Sequence, residues 1–381
     1  MKILLGLLAG SKESPSVAPA AVMAAVQGIT VTQGDGGKTG DFQQGFQIVL
    51  RAERSTRATA DYQLFSESPL GIGSRVIVTV TLNAQPRVLI DGIIAHRQLS
   101  PASAAGTPSV TLSGKDISVL MDLEEKDKNH AGLGDKEIVQ AILGEYARYG
   151  IEPEVSDPAT TWTATEDERV PKQVATDRAY LQQLAAQHSF IFRIKPGPTP
   201  KKNIGYWGPL EYASTAQRAL TTNLGAATNV ASLEFTDDAL APTQVFGAVN
   251  NNDADETTAI KIAKTSSATS LSKTSRLDEE FVRTLRLVYS GPNATQARAL
   301  AQSIADHSAA RALTVQGVLD TFRYGDLLMA PGIVGVRGAG AKYDGNYYIR
   351  KVTHEISRGE YKQRFVLTRE GPGSTTQRVE V

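Results

Sequence analysis

Val76, Val78, Val80 and Leu82 fall two residues apart in "RVIVTVTL", and Phe46, Ile48 and Leu50 do the same in "FQIVL". That spacing puts each set on one face of an extended strand, the pattern of a half-buried antiparallel sheet. "RVLIDGIIAHRQL" and "SVTLSGKDIS" continue it across the loop "SPASAAGTP". Residues 27 to about 125 therefore read as short strands punctuated by Gly, Pro and Ser turns, which suits a small β-barrel or sandwich.

The period then changes. In "DKEIVQAILGEYARYG", Ile138, Ile142 and Tyr146 form one stripe with Val139 and Leu143 beside it, so a helix is expected from an Asp135 N-cap to a Gly150 stop. After the extended "IEPEV" and a Pro/Thr/acidic connection comes "TDRAYLQQLAAQHSFIFRIKPG". Thr176 or Asp177 caps a second helix carrying Tyr180, Leu181, Leu184, Ala185 and His188 on one side, and a strand alternates from Phe190. Strand rhythm returns in "VASLEF" and "TQVFGAV". Residues 250–273 read as a polar loop or loosely held insertion. A third helix is expected in "NATQARALAQSIADHSAARAL", about 293–311. The end is β again, with Tyr361, Phe365 and Leu367 inward and Lys362 and Arg364 outward. The order is β-region, helical insert, β-region.

Composition narrows the function. Lys+Arg and Asp+Glu number 40 each among 381 residues, so the basic excess of a nucleic-acid binder is missing. With no cysteine there are no disulfides, thiolate metal sites or cysteine nucleophiles. "MKILLGLLAG" resembles a secretory leader, but its single lysine and the polar "SKESPS" after it argue against one. No run reaches 18 apolar residues, so no transmembrane segment is expected.

Motifs with chemical meaning fail on context. Gly37-Lys38-Thr39 ends like a phosphate loop, but Thr32 stands where the first glycine belongs and "GDFQQGF" leads to a strand, so a hairpin loop is expected. "GIVGVRGAG", Gly332 to Gly340, lacks dinucleotide spacing and reads as a hairpin tip. The histidines, His96, His130, His188, His307 and His354, have no metal-ligand spacing. His188 and His354 read as packing residues. The acidic clusters Glu166 to Glu168 in "TEDER", and Asp237 with Asp238, are the remaining candidates for a hydrolase, which needs two carboxylates across a cleft. No catalytic, cofactor or metal residues are assigned.

Four stretches, in order, carry a resemblance: "VTLSGKDISVLMDLEEK" with Gly114 and Asp116; "TDRAYLQQLAAQHSFIFRIKPG" with Asp177, Tyr180, Leu181, Leu184, Ala185 and Phe190; "FRYGDLLMAPG" with Gly325 and Asp326; and "YDGNYYIRKVTHEISRGEYKQRFVLTRE" with Gly345, Tyr348, Val352, His354 and Tyr361. Together the chain resembles the baseplate hub proteins of contractile phage tails and contractile injection systems, the late-control-D family, related to the base of VgrG proteins. The resemblance implies an α+β, β-rich fold of two related β-barrel-like domains bridged by an α/β insert, in a trimeric ring of pseudo-sixfold symmetry. It implies boundaries near 1–125, 126–228, 229–372 and a tail 373–381, with the insert free to return strands to the first barrel. The implied role is a non-catalytic structural hub adapting a sixfold tube to a threefold spike. Its partners would be itself, a separate spike protein, the inner tube protein and other baseplate proteins, without nucleic-acid recognition or a cofactor. It would assemble in the cytoplasm and end in a virion or a released or anchored tail-like particle. The alternatives are a peptidoglycan hydrolase of such a particle and a secreted carbohydrate-binding β-protein.

Overall fold

The computed structural model describes residues 3–36, 44–52, 69–101, 108–158, 171–188, 190–212, 214–251, 256–266, 270–288 and 294–375. The chain opens with β1 (Ile3–Gly10), β2 (Pro15–Val17), α1 (Ala20–Ala25), β3 (Val26–Gly34), β4 (Gly45–Arg51), β5 (Arg75–Leu82), β6 (Gln85–Ser100) and β7 (Ser109–Asp116). The period-two residues land as expected: Phe46, Ile48 and Leu50 of β4, and Val76, Val78, Val80 and Leu82 of β5, are all buried in one apolar cluster. The leader-like Ile3–Gly10 is strand β1, paired along its whole length with β5.

An α/β layer follows: β8 (Glu125–Asn129), α2 (Asp135–Gly144), β9 (Ile151–Val155), β10 (Lys172–Thr176), α3 (Asp177–Gln187), β11 (Phe190–Pro196) and β12 (Asn203–Pro209). Both helices expected here are present. The first begins one residue after a Gly134 N-cap, so Asp135 lies inside it, and α2 stops at Gly144. The remaining turn to Tyr149 is a 3-10 helix closed by Gly150 in the left-handed region, φ 78°. Thr176 caps α3, its hydroxyl accepting from the Ala179 amide at 3.2 Å.

The last part contains β13 (Gln217–Thr221), β14 (Val230–Asp237), β15 (Thr243–Asn251), β16 (Glu256–Ile262), β17 (Arg283–Leu287), α4 (Ala294–Ala309), β18 (Leu313–Asp320), α5 (Thr321–Tyr324), β19 (Gly332–Arg337), β20 (Gly345–Ser357) and β21 (Glu360–Arg369). Two expectations change. The stretch 250–273 is not simply a loop, because Glu256–Ile262 pairs with β15 and its Ile260 and Ile262 are buried against α4. Alternation in "TTAIKI" is the signal, masked in the sequence by polar neighbours. Likewise Gly332–Arg337 is a buried strand pairing with both β13 and β20, and only Gly338 and Gly340 form the turn. Of the β19 glycines, Gly332 faces the end of the Gln217 side chain, while Gly335 has only ordinary van der Waals neighbours, the nearest being Asn346 Oδ1 at 3.5 Å.

Thirteen strands form one sheet, ordered β14-β18-β21-β20-β3-β4-β7-β6-β5-β1-β2, with β19 on the first half of β20 and β13 on β19. No closed barrel occurs among the described residues. The two β-regions share one open sheet because the edges of β3 and β20, which separate barrels would each have to cover, pair with one another from Lys351↔Gly34 to Ser357↔Gly28.

The sheet contains the same six-strand order twice. The first half runs β3-β4-β7-β6-β5-β1 and the second β14-β18-β21-β20-β19-β13, and the corresponding strands come in the same order along the chain. The correspondence extends to irregularities. A bulge lies between Val26 and Gly28 on β3 and between Val230 and Ser232 on β14. Another lies between Ile94 and His96 on β6 and between Ile349 and Lys351 on β20. One residue beyond these bulges runs the rung Ile29–Ile48–Leu112–Arg97, matched by Leu233–Gly317–Phe365–Val352. The halves differ at β13, which is parallel to β19 where β1 is antiparallel to β5.

Candidate assembly site

The residues singled out in the sequence fall into four groups, and each holds a junction. Gly114 sits on β7, where a Cβ would press into the Ile93 carbonyl and stand 2.6 Å from Phe46 Cζ. Asp116 ends the strand, and its buried carboxylate accepts the Ser118 amide at 3.4 Å, capping the 3-10 turn Ile117–Met121. Burial pushes its carboxyl up, opposed by Arg178 and the Ser118 hydrogen bonds.

Asp177 is the centre of the second group. Lys126 Nζ donates to its carboxylate at 2.6 Å, Tyr146 Oη at 2.7 Å and Gln173 Nε2 at 2.8 Å, tying α3 to β8, β10 and the turn after α2. Burial pushes the carboxyl up, but the bonds from Lys126, Gln173 and Tyr146 outweigh it, and the group lies below the ordinary carboxylate range. Tyr180 stacks on His130, ring centroids 5.7 Å apart. Leu181, Leu184 and Ala185 are buried among Ile138, Ile142 and Trp207. Phe190 meets Trp207 edge-on at 4.9 Å. His188, at the C-cap of α3, bonds Asp135 Oδ2 through Nε2 at 2.7 Å and rests against Trp207. It therefore links the end of one helix to the start of another.

In the third group Gly325 closes α5 with φ 75°, and Asp326 Oδ1 accepts the Leu327 amide at 2.8 Å. In the fourth, Gly345 starts β20 with φ 122°, where a Cβ would stand 2.9 Å from Arg369 Nη1. Tyr348 packs against Tyr212 at 5.0 Å, and Val352 lies in the core of the second half. His354 is fully buried beside Tyr361, with Nδ1 2.9 Å from the Tyr361 hydroxyl and 3.1 Å from Gln363 Nε2. Burial pushes its pKa down to about 3, so the ring is neutral and Nδ1 accepts both bonds. These are four separate places, and the sequence positions do not converge on one cleft.

The acids follow the same logic. Asp237 takes two bonds from Arg276, at 2.6 and 3.1 Å, and Lys342 lies 3.2 Å away. Burial raises its pKa, but those cations more than offset it, so its carboxyl lies below the ordinary value. A general acid needs the opposite shift. Asp238 caps a turn at the Leu240 amide. Glu166, Glu168 and Gly37–Thr39 lie outside the described residues, as do 376–381 of the tail. Among the described residues no three His, Asp or Glu side chains come together to hold a metal, and no helix is long and apolar enough to cross a membrane.

Three polar junctions escaped sequence reasoning. Arg75 on β5 is fully buried and bidentate to Asp91 on β6, at 2.7 and 2.5 Å, while it also donates to the Tyr149 and Lys12 carbonyls. Asn203 on β12 donates to the same Asp91 at 2.8 Å, fastening the α/β layer to the sheet. Arg350, the bulge residue of β20, pairs with Asp35 just past β3 at 2.8 Å. Arg369 donates to the Gly371, Asp344 and Lys342 carbonyls over the Tyr347 ring. A charge inside an apolar strand, as in "SRVIVTV", is the one local sign of such a partner.

No family model matches the sequence, and no curated protein matches it. Solved structures do. The tail protein from Neisseria meningitidis MC58 superposes with a TM-score of 0.64 over 96% of this chain and 97% of its own, at 11% identity. The 43 kDa tail protein of prophage MuSo2 from Shewanella oneidensis gives 0.63 over 97% and 99%, at 12% identity. An Escherichia coli component of the type VI secretion system, described as similar to the T4 tail proteins gp27 and gp5, gives 0.54 over 95% and 77%, at 14% identity. The chain has the fold of phage tail proteins and of a type VI secretion system component. The resemblance to baseplate hub proteins read in the sequence is matched, at the level of the fold, by these neighbours.

Proposed function

We propose that this protein is the baseplate hub of a contractile tail-like particle, a non-catalytic homotrimer that adapts a sixfold inner tube to a threefold spike. The observation that carries the reading is the twice-repeated six-strand order within one sheet. Three copies of a chain holding two equivalent halves offer six similar β-faces, while the α/β layers differ between halves and keep threefold symmetry. Residues 1–125 and 229–372 would be the two β-units, the second joined by β13 (Gln217–Thr221) from the end of the layer 126–228, and 373–381 a tether toward the spike. The tube, the spike and other baseplate proteins are the partners. Asp237, tied to Arg276 and Lys342, suits a structural role better than an acid catalyst.

The test is assembly. Light scattering on the purified protein, alone and co-expressed with its tube and spike proteins, should give a particle of three chains. A monomer under all of these conditions would refute the proposal. Peptidoglycan digestion by the pure protein, abolished in Glu166→Gln, would also overturn it in favour of a hydrolase.

A further inference from the structure

Tyr348 on β20 and Thr368 on β21 oppose each other across the strand pair, and both are buried, at 1% and 3% exposure. Among the described residues neither hydroxyl oxygen has a hydrogen-bond partner. A buried hydroxyl in that position has lost its hydration without replacement, and folded proteins seldom leave one so. Two of them side by side on one rung point to a shared partner.

The matched rung of the first half is Ile93 with Lys115, placed one residue before the bulge at Ile94 as Tyr348 is placed before Ile349. There Ile93 is buried in the apolar cluster of the α/β layer. An apolar side chain serves at that place in the sheet, so packing alone does not call for a hydroxyl.

Both Tyr348 and Thr368 line one cavity of about 10 Å³. Three parts of the molecule meet around it: β20 and β21 of the sheet, Ile191 of β11 with Tyr212 beyond β12, and His307 of α4. The Tyr212 ring lies 5.0 Å from that of Tyr348. Asp35 and Arg350, paired at 2.8 Å, complete the polar side of the wall. A space of roughly 10–15 Å³ admits one water when two to four polar groups reach it.

We infer that this cavity binds one ordered water molecule, held by the Tyr348 and Thr368 hydroxyls, which joins the sheet to the α/β layer and to α4. Each hydroxyl can donate one bond and accept others, so the water accepts from one and donates to the other. Its second proton needs an acceptor, and the Asp35 carboxylate and the His307 ring both stand on the wall. Burial, followed by the Arg350 and Arg311 charges, pushes the His307 pKa down, so the ring is neutral and keeps an unprotonated nitrogen. A charged occupant fits less well, because Asp35 and Arg350 already balance one another there. The site belongs to the single chain and stands whether or not three chains assemble.

Two measurements on the full chain test it. A crystal structure of the native protein, at a resolution that shows ordered waters, should place a density peak within about 3.2 Å of both hydroxyl oxygens. Crystals grown in sodium bromide should give no anomalous peak at that position. The second measurement is the sign of two stability changes. With the water bound, Tyr348→Phe and Thr368→Val each remove a satisfied bond and should lower the urea midpoint by about 0.3 M. Because the two hydroxyls share one water, the double variant should lower it by less than the sum. In a dry cavity each substitution would instead remove an unpaired buried hydroxyl and raise the midpoint. An empty site in the native crystal, a bromide peak, a raised or unchanged midpoint in either single variant, or full additivity of the two overturns the proposal.

Discussion

Replacing Asp91 with alanine strands the Arg75 guanidinium, which has no solvent exposure and two carboxylate bonds at 2.7 and 2.5 Å. Removing one partner of a buried ion pair costs about 3–5 kcal/mol, because the remaining charge keeps its desolvation penalty and loses its compensation. Arg75→Met should cost a similar amount: Asp91 would keep only the Asn203 bond at 2.8 Å. Replacing both, as Arg75→Met/Asp91→Leu, removes the stranded charge altogether. What is then lost is the pair of carbonyl bonds to Tyr149 and Lys12 and the Asn203 contact, so the double variant should cost about 1–3 kcal/mol, less than either single. Urea unfolding followed by tryptophan fluorescence reads this, since Trp207 lies in the core that Asn203 borders. With an m-value of about 3 kcal/mol/M, a loss of 4 kcal/mol lowers the midpoint by about 1.3 M. A double variant as unstable as the two singles summed would refute the reasoning. So would singles that cost under about 1 kcal/mol, as expected of a solvated pair.

The buried His354 makes stability depend on pH. Its folded pKa near 3 lies below the unfolded value, so the unfolded chain takes up the proton first, and stability falls as pH drops from about 6.5 toward 3, by up to about 1.4 kcal/mol per unit. Urea midpoints between pH 7 and 4 should therefore decline less steeply in His354→Gln than in the native chain; equal slopes would count against a neutral buried ring. Gly114→Ala should abolish soluble expression or cost more than about 3 kcal/mol, as its Cβ meets the Ile93 carbonyl and the Phe46 ring. Gly144→Ala, in α2 with nothing within 4 Å, should be neutral or stabilising by about 1 kcal/mol on a thermal melt.

Much of the local structure was legible. The Thr176 cap, the stripe through Tyr180, Leu181 and Leu184, and the alternation of Tyr361, Phe365 and Leu367 each depend on neighbours within a few residues. Strand β19 was missed because glycines hide its alternation, and β16 because polar flanks dilute it. The partners of the candidate positions were not legible: the Lys126 bond to Asp177 spans 51 residues.

What the sequence by itself determined is which face of most elements is apolar, where the helices lie, and that two β-regions flank an α/β stretch. Only the tertiary structure decided that these regions share one open sheet instead of closing separately, and that its six-strand order occurs twice. A period of two specifies the buried face of a strand but says nothing about which strand lies beside it. That choice is made by backbone edges, which carry the same amide and carbonyl groups at every residue. Val31 therefore reached His354, 323 positions away, through geometry that no stretch of sequence records.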